Sequence, residues 1–547
     1  MRTATRSVLA LALALGVLSV GPRAAEGQHN VLLVIVDDLR PTLGAYDDEV
    51  AISPNFDAFF QQSVQFSNAH SSRAECAPSR ASMLAGQRPD RTRVHNFRPV
   101  FRKYNKKLVT LPGHFRKAGY RVEGVGKLFD GRSFFSSSAT IGANPFPDLC
   151  DDANTKKECS WDAGIRKQDF QLNTDDMCGN NGTEFFPGSG EDPLERHTFL
   201  SYSFPDELEA KDEDYCAITV AIRALQKLAN ADEPFFLAVG ISKPHMPWVR
   251  PDSITAQYLD MPDSLFEPPS YDDEYWLDTH VRWSQAPSNE LQSYLDYASV
   301  SGANRTRAYY GAVTFVDAQF GRLMTALDSM DVAANTHVVV WGDHGFHLGD
   351  RDLWGKKTVF DQATRVPLGV RPASTWLVDN QDVADAGIGA QVMSPVDSVD
   401  ILPTLLDLCA LELPKVTDRA GTSLVPLMRD PSSAVRAAAI SQYDAYSTRN
   451  KMGYSIRSTN YRLVVYVPKR KVYSRKRNVL PYKKNAFVTS RLALYHYTSA
   501  GQIELVNHID DPAHAHAKTA LLQLFRDNVD RDWTNLLGEI PFDHPSR

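Results

Sequence analysis

The stretch Asn30-Val-Leu-Leu-Val-Ile-Val36 is apolar from Val31 onward and stops on paired carboxylates, Asp37-Asp38. A strand apolar at every position has both faces covered, which places it in a parallel sheet between layers of helices rather than in an open antiparallel one. Arg121–Val125, Phe235–Ile241 and His337–Trp341 read as further buried strands. Between the last two, Val316, Phe320, Leu323 and Leu327 recur at helical spacing. Ser53 stands as a helix cap before Pro54 and a helical stretch running to Ser63. Strands alternating with helices predict an α/β fold around a large, mostly parallel sheet flanked by helices.

Residues 1–27 carry Arg2 and Arg6, an apolar run Val8–Val20 too short to span a bilayer comfortably, and small residues at Ala25 and Gly27. That is the pattern of a signal peptide, and it predicts an exported protein with no stable membrane insertion. An α/β body is expected over 28–435. Its segment 130–214, rich in Ser, Asp, Asn, Gly and Pro, reads as an irregular surface excursion pinned by disulfides. Over 436–547, short strands at Tyr454–Arg457 and Arg462–Val467 and a helical pattern near Ala520–Val529 predict a smaller α+β domain. Asn181-Gly-Thr and Asn304-Arg-Thr are glycosylation sequons in a eukaryotic host.

A formal charge of −7 argues against a general nucleic-acid partner, which would need a basic surface. Lys469–Lys484 reverses that sign locally, with eight basic residues and Tyr473 and Tyr482 interleaved. It reads either as a solvated hairpin tip or as a docking strip for a polymer of opposite charge. Of six cysteines, Cys409 shares a helical face with Val399, Leu402 and Leu406 and is expected to be a buried thiol. Cys76 belongs to the motif Cys-Ala-Pro-Ser-Arg. Cys150, Cys159, Cys178 and Cys216 remain for disulfides, with three pairings open.

Open α/β sheets build their sites at the carboxyl ends of strands. Asp37-Asp38 follows the first strand and Asp343-His344 follows His337–Trp341. Either pair alone could be an acidic turn. Together they offer three carboxylates and an imidazole, a set suited to a divalent cation, with oxygen donors favouring calcium first and magnesium second. Cys76-Ala-Pro-Ser-Arg80 sits where a loop enters a helix that ends at Gly86, and a helix N-terminus favours negative charge. By residue type alone Cys76 could equally be a half-cystine.

Cys-x-Pro-x-Arg, an Asp-Asp strand end, Gly-Lys and Asp-His occur in the phrases NVLLVIVDDLRPTLGAY, CAPSRASMLAGQRPD, GYRVEGVGKLF, PFFLAVGISKPHMPW, VDAQFGRL, GDHGFHLGD and MGYSIRSTNYR. In that order they resemble the type I sulfatases, most closely the branch of iduronate-2-sulfatase and its bacterial relatives. The resemblance implies an alkaline-phosphatase-like domain and a sulfuric ester hydrolase acting from a chain end of a sulfated carbohydrate. It implies that Cys76 is oxidised to formylglycine by a formylglycine-generating enzyme, and that Asp37, Asp38, Asp343 and His344 hold the cation together with modified Cys76. It assigns orientation of that residue to Arg80 and Lys127, and sulfate contact and leaving-group assistance to His245 and Lys356. Secretion is implied too, to a lysosome, a periplasm or the exterior according to host.

Two positions depart from the family. Asp130 stands where relatives carry a histidine thought to assist sulfate release, so it enters the catalytic set as a weaker base. Leu84-Ala85-Gly86 replaces the usual Leu-Thr-Gly of the maturation signal. Phe346 occupies an aromatic position that would serve equally for sugar stacking or packing. A phosphate or phosphonate ester hydrolase of the same superfamily is the alternative reaction. A catalytically impaired carbohydrate-binding homologue is the alternative class, and Asp130 is what suggests it.

Overall fold

The computed structural model describes residues 28–97, 99–130, 159–165, 201–267, 301–350, 353–415, 420–445, 451–468, 491–499, 503–504 and 506–529. The expected signal peptide, Cys150, Cys178, Asn181, most of the 130–214 excursion and the basic run 469–484 lie outside them. Eight strands form one sheet: β1 (Asn30–Val36), β2 (Val64–Phe66), β3 (Arg121–Gly126), β4 (Ala163–Ile165), β5 (Phe235–Ile241), β6 (Thr336–Gly342), β7 (Leu368–Arg371) and β8 (Gln391–Val392). Their spatial order is β8-β2-β7-β6-β1-β5-β3-β4. β1 runs parallel between β5 and β6, and β3 and β4 extend the parallel array. β7 is antiparallel to both β6 and β2, so one edge is mixed.

The all-apolar reading of β1 follows from its two faces. Leu32, Val34 and Val36 enter one core, while Val31, Leu33 and Ile35 enter the other. The covering helices are α1 (Pro54–Gln61), α2 (Cys76–Ala85), α3 (Glu213–Ala229), α4 (Gly302–Asp328) and α5 (Ile401–Leu408). α1, α3 and α4 fill the first core through Phe56, Ile218, Val316 and Phe320, and α2 and α5 the second through Met83, Leu402 and Leu406. Ser53 does stand at the start of α1, yet its hydroxyl accepts the Gly44 amide at 2.9 Å. The amides of Asn55 and Phe56 are held by Asp317 of α4, at 3.2 and 2.7 Å. A carboxylate from a packed helix has displaced the local cap. Cys76 and Cys409 are free and buried, and Cys159 and Cys216 are disulfide-bonded.

A second, antiparallel sheet follows, made of β9 (Ala439–Ala445), β10 (Lys451–Arg457), β11 (Tyr461–Pro468) and β12 (Arg491–His496) in that order. These strands are longer than the sequence pattern suggests. Helix α6 (Ala515–Val529) covers one face, Leu521, Leu522 and Phe525 meeting Tyr454, Ile456 and Leu463. The other face is not solvated: Val464, Tyr466, Ala493 and Tyr495 pack on Leu353, Val359 and Phe360 of the α/β body. Beside them the buried Asp361 carboxylate pairs with Arg457 at 3.3 Å and with Arg462, and its amide donates to Glu504 at 3.0 Å. Burial opposes ionisation of Asp361, but Arg457, Arg462 and His70 outweigh it and hold its pKa below the usual range.

Asp361→Asn leaves Arg457 and Arg462 buried with less opposing charge. It should destabilise the protein by about 3–5 kcal/mol, the usual cost of breaking a buried pair. Thermal or urea unfolding measures this, and an unchanged midpoint would show that the network contributes nothing to stability.

Candidate active site

The parallel register carries the chemistry to one edge. Val36 pairs with Ile241 and with Gly342, and Gly126 pairs with Gly240. Asp37-Asp38, Lys127, Ser242–His245 and Asp343-His344 therefore leave the sheet side by side at its carboxyl end. The packing there demands glycine: a Cβ on Gly240 would lie 1.9 Å from the Lys127 carbonyl oxygen. Asp38 takes a left-handed φ of 61° although it is not glycine. It is held there by Tyr309, whose hydroxyl donates to the Asp38 carbonyl at 2.8 Å, and by its own amide, which donates to Asp343 Oδ1 at 3.0 Å.

Helix α2 begins at Cys76 and stops at Gly86, which is left-handed at φ 60°. Every residue of α2 is buried, so the Cys76 thiol is enclosed rather than presented to bulk water. Its sulfur lies 3.3 Å from His344 Nε2 and 3.2 Å from Lys356 Nζ. From the same helix Arg80 Nε donates to Asp343 Oδ2 at 2.8 Å, and its Nη2 lies 3.4 Å from Asp37 Oδ1. Arg80 Nη1 donates to the carbonyls of Lys127 and Leu128. Lys127 pairs with Asp37, and Lys356 Nζ lies 2.5 Å from Asp38 Oδ1.

Burial opposes the charged form of Asp37, but Lys127, Arg80, His245 and Lys356 outweigh it and hold its pKa well below the usual carboxylate range. Asp343 moves the other way, pushed up by burial and then by Asp37. Burial, with Asp37 adding to it, pushes the Cys76 thiol up. Burial lowers His245 to about 4, although Asp38 opposes the shift.

The donor set fits a divalent cation. Ligand atoms of Asp37, Cys76, Asp343 and His344 all lie within 4.8 Å of one another, as do those of Asp37, Asp38, Cys76 and His245. Asp37 Oδ1 and Asp38 Oδ2 are buried without a hydrogen bond, and a cation coordinated by them would satisfy their lone pairs. His344 Nδ1 faces its neighbour's carbonyl, Gly345 O, at 3.0 Å. With Nδ1 donating there, Nε2 offers a lone pair toward Cys76 and the carboxylates.

Asp37, Asp38, Cys76, Arg80, Lys127, His245, Asp343, His344 and Lys356, all singled out in the sequence, converge here. Asp130 is buried, and its charge bears on Lys127. Phe346 is packing rather than an open platform: it is 1% exposed, stacked on Tyr309 at 5.8 Å and edge-on to Trp248 at 5.9 Å. Several supporting residues escaped the sequence reading. Ser79 donates to the Asp343 carbonyl, and Tyr309 holds Asp38 as described. Lys243 Nζ reaches Asp212 at 2.7 Å, and Asp214 accepts the Ser242 and Lys243 amides at 2.7 and 2.9 Å, anchoring the loop that carries His245 to the start of α3. Lys243 belongs to the phrase PFFLAVGISKPHMPW, whereas Asp212 and Asp214 fall in the stretch 130–214 expected to be irregular; the structure starts α3 at Glu213 instead.

Buried carboxylates, basic side chains and a helix-borne motif cysteine at the carboxyl edge of an α/β sheet suit a hydrolase of charged esters. A family model described as Sulfatase matches residues 29–411, and the chain belongs to the sulfatase family, with its alkaline-phosphatase-like fold. Iduronate 2-sulfatase of Homo sapiens is 30% identical over 499 residues, covering 80% of this chain and 85% of the relative. A sulfatase of Formosa agariphila is 27% identical over 452 residues, covering 80% and 78%. Among solved structures, the phosphonate monoester hydrolase SpPMH from Silicibacter pomeroyi aligns with a TM-score of 0.65 at 21% identity, over 93% of this chain and 97% of that one.

Arg80 bridges two carboxylates and two carbonyls with one planar fork, which an ammonium cannot reproduce. Arg80→Lys should lower kcat on an aryl sulfate by roughly 10–100-fold, the usual cost of losing a group that orients metal ligands. Wild-type kcat in a folded variant would show that Arg80 does not position them.

Proposed function

We propose that the protein is an exported, formylglycine-dependent sulfatase that removes sulfate from the end of a sulfated carbohydrate; one of its relatives is named an iduronate 2-sulfatase. The observation that carries this is Cys76 of Cys-Ala-Pro-Ser-Arg, enclosed among His344, Lys356 and the three carboxylates. Asp37, Asp38, Asp343 and His344 would hold calcium, or magnesium in second place. Such an ion, when bound, supplies positive charge against the sulfate oxygens and the nucleophile. Oxidised and hydrated, Cys76 would offer two hydroxyls on one carbon, one to displace the alcohol at sulfur and one to expel sulfate.

The remaining work falls to this chain's own groups. Lys356, 3.2 Å from the Cys76 sulfur, sits where it can neutralise a sulfate oxygen and steady the departing alcohol. His245 donates from Nδ1 to the Met246 carbonyl at 2.7 Å, which leaves Nε2 to hold or accept a proton. Arg80 and Lys127 hold Asp37 in place, and Arg80 holds Asp343. Asp130, beside Lys127, would take the proton in sulfate release, and as a carboxylate it is a weaker base than histidine. The phosphonate-ester reading rests on a shared fold alone, and parallel assays of aryl sulfate and aryl phosphate esters separate the two.

Cys76→Ala should fold normally and lose more than about a thousandfold in sulfate ester turnover, since the group removed makes and breaks the reacting bonds. Mass analysis of the wild-type peptide carrying Cys76 should find an aldehyde in place of the thiol. Substantial turnover by purified Cys76→Ala would rule this mechanism out. Chelation of the active protein should lower both activity and melting temperature. Active protein free of any divalent ion would dismiss the metal assignment.

A further inference from the structure

The turn leading into α6, on the C-terminal sheet, gathers a second set of donor atoms. His508, Asp511 and His514 follow at three-residue intervals, and one ligand atom from each lies within 4.8 Å of the others. His508 Nδ1 is 3.6 Å and His514 Nε2 is 3.8 Å from Asp511 Oδ2. Ligands about 2.0–2.1 Å from a tetrahedral zinc ion stand roughly 3.3–3.4 Å apart, so each imidazole is within a few tenths of an ångström of that spacing from Asp511, and the two imidazole nitrogens, within 4.8 Å of each other, draw together on the ion.

The backbone already holds these residues together. The His508 amide donates to the Leu494 carbonyl at 2.7 Å, tying the turn to β12. The Asp511 amide donates to the His508 carbonyl, and the His514 amide to the Asp511 carbonyl, both at 3.1 Å. Asp511 Oδ1 is engaged by the Ala513 amide at 2.9 Å, which leaves Oδ2 for the imidazoles. Tyr461 of β11 places its hydroxyl 3.1 Å from His514 Nδ1. His496, from the end of β12, stands beside the cluster with its ring 5.3 Å from that of His514.

We propose that His508, Asp511 and His514 form a second metal site, for zinc or a similar transition-metal dication. Two imidazoles and one carboxylate suit such an ion and not calcium, which takes oxygen donors, so the site differs in kind from the cation centre at Cys76. With the Tyr461 oxygen accepting from Nδ1, His514 presents the Nε2 lone pair, the outer hydrogen bond that metal-bound imidazoles usually carry. The three residues are partly exposed, so the ion enters from solution, and the fourth position is left to water or to His496. Bound there, the ion clamps the connection between β12 and α6.

The test uses full-length protein stripped by chelator, saturated with calcium and titrated with zinc chloride by calorimetry. Wild type should bind one zinc equivalent more than His508→Ala/His514→Ala, and zinc should raise the melting temperature of wild type alone. Tyr461→Phe should weaken the extra zinc about tenfold or more while leaving its stoichiometry intact. Zinc-free double variant should hydrolyse a small aryl sulfate at the wild-type rate. Should it misfold, Asp511→Asn, which keeps the shape, takes its place and should weaken zinc by at least about tenfold. Equal zinc stoichiometry and equal thermal shift in wild type and variant overturn the proposal.

Discussion

Asp37, Asp38 and Asp343 are buried together at one end of a sheet, and like charges in a low-dielectric setting persist only when opposite charge is built in alongside them. Arg80 and Lys127 supply that charge to Asp37, Arg80 to Asp343, and Lys356 to Asp38. These cations carry Asp37 down, while burial first and then Asp37 push Asp343 up. Asp37 Oδ1 and Asp38 Oδ2 are buried without a hydrogen bond. A dication among the three carboxylates would add positive charge where the burial of these groups costs most.

Holding this arrangement requires more than the central sheet. The register of β1 between β5 and β6 delivers the carboxylates and His344, and α2 delivers Cys76 and Arg80. Lys356 comes from a loop whose neighbours Leu353, Val359 and Phe360 are packed under the C-terminal sheet. Asp361, a few residues on, is gripped by Arg457 and Arg462 of β10 and β11. The C-terminal sheet is thus a wall against which a site lysine is braced. The His245 loop has its own brace, the buried Lys243, Asp212 and Asp214 cluster at the start of α3.

Much of this was legible in the chain. The β1 run, the amphipathic face of α4, the motif around Cys76 and the carboxylate pairs at strand ends were all local patterns, set by burial periodicity and strand-end chemistry. The ordered phrases added the family, and with it residues such as His245 and Lys356 whose local surroundings say little. Ser53 shows where local rules fail: a good capping residue in the right place gives up the role because Asp317, far along the chain, reaches the same amides. Phe346 shows the same for an aromatic side chain, whose neighbours Tyr309 and Trp248 decide that it packs.

By itself, then, the sequence determined the four adjacent strands β3, β5, β1 and β6, the reacting residue types and their family, because each is encoded within a few neighbouring residues, whereas the short strands β2, β4, β7 and β8 and helix α3 carried no such pattern. The tertiary structure alone decided which side chains share charge, which ring nitrogens carry lone pairs, and that the C-terminal sheet braces the Lys356 loop. It also decided that His508, Asp511 and His514 point at one another across the turn before α6. Those are properties of distance, and residues hundreds of positions apart acquire distances only when the parallel register and the two cores bring them to the same edge.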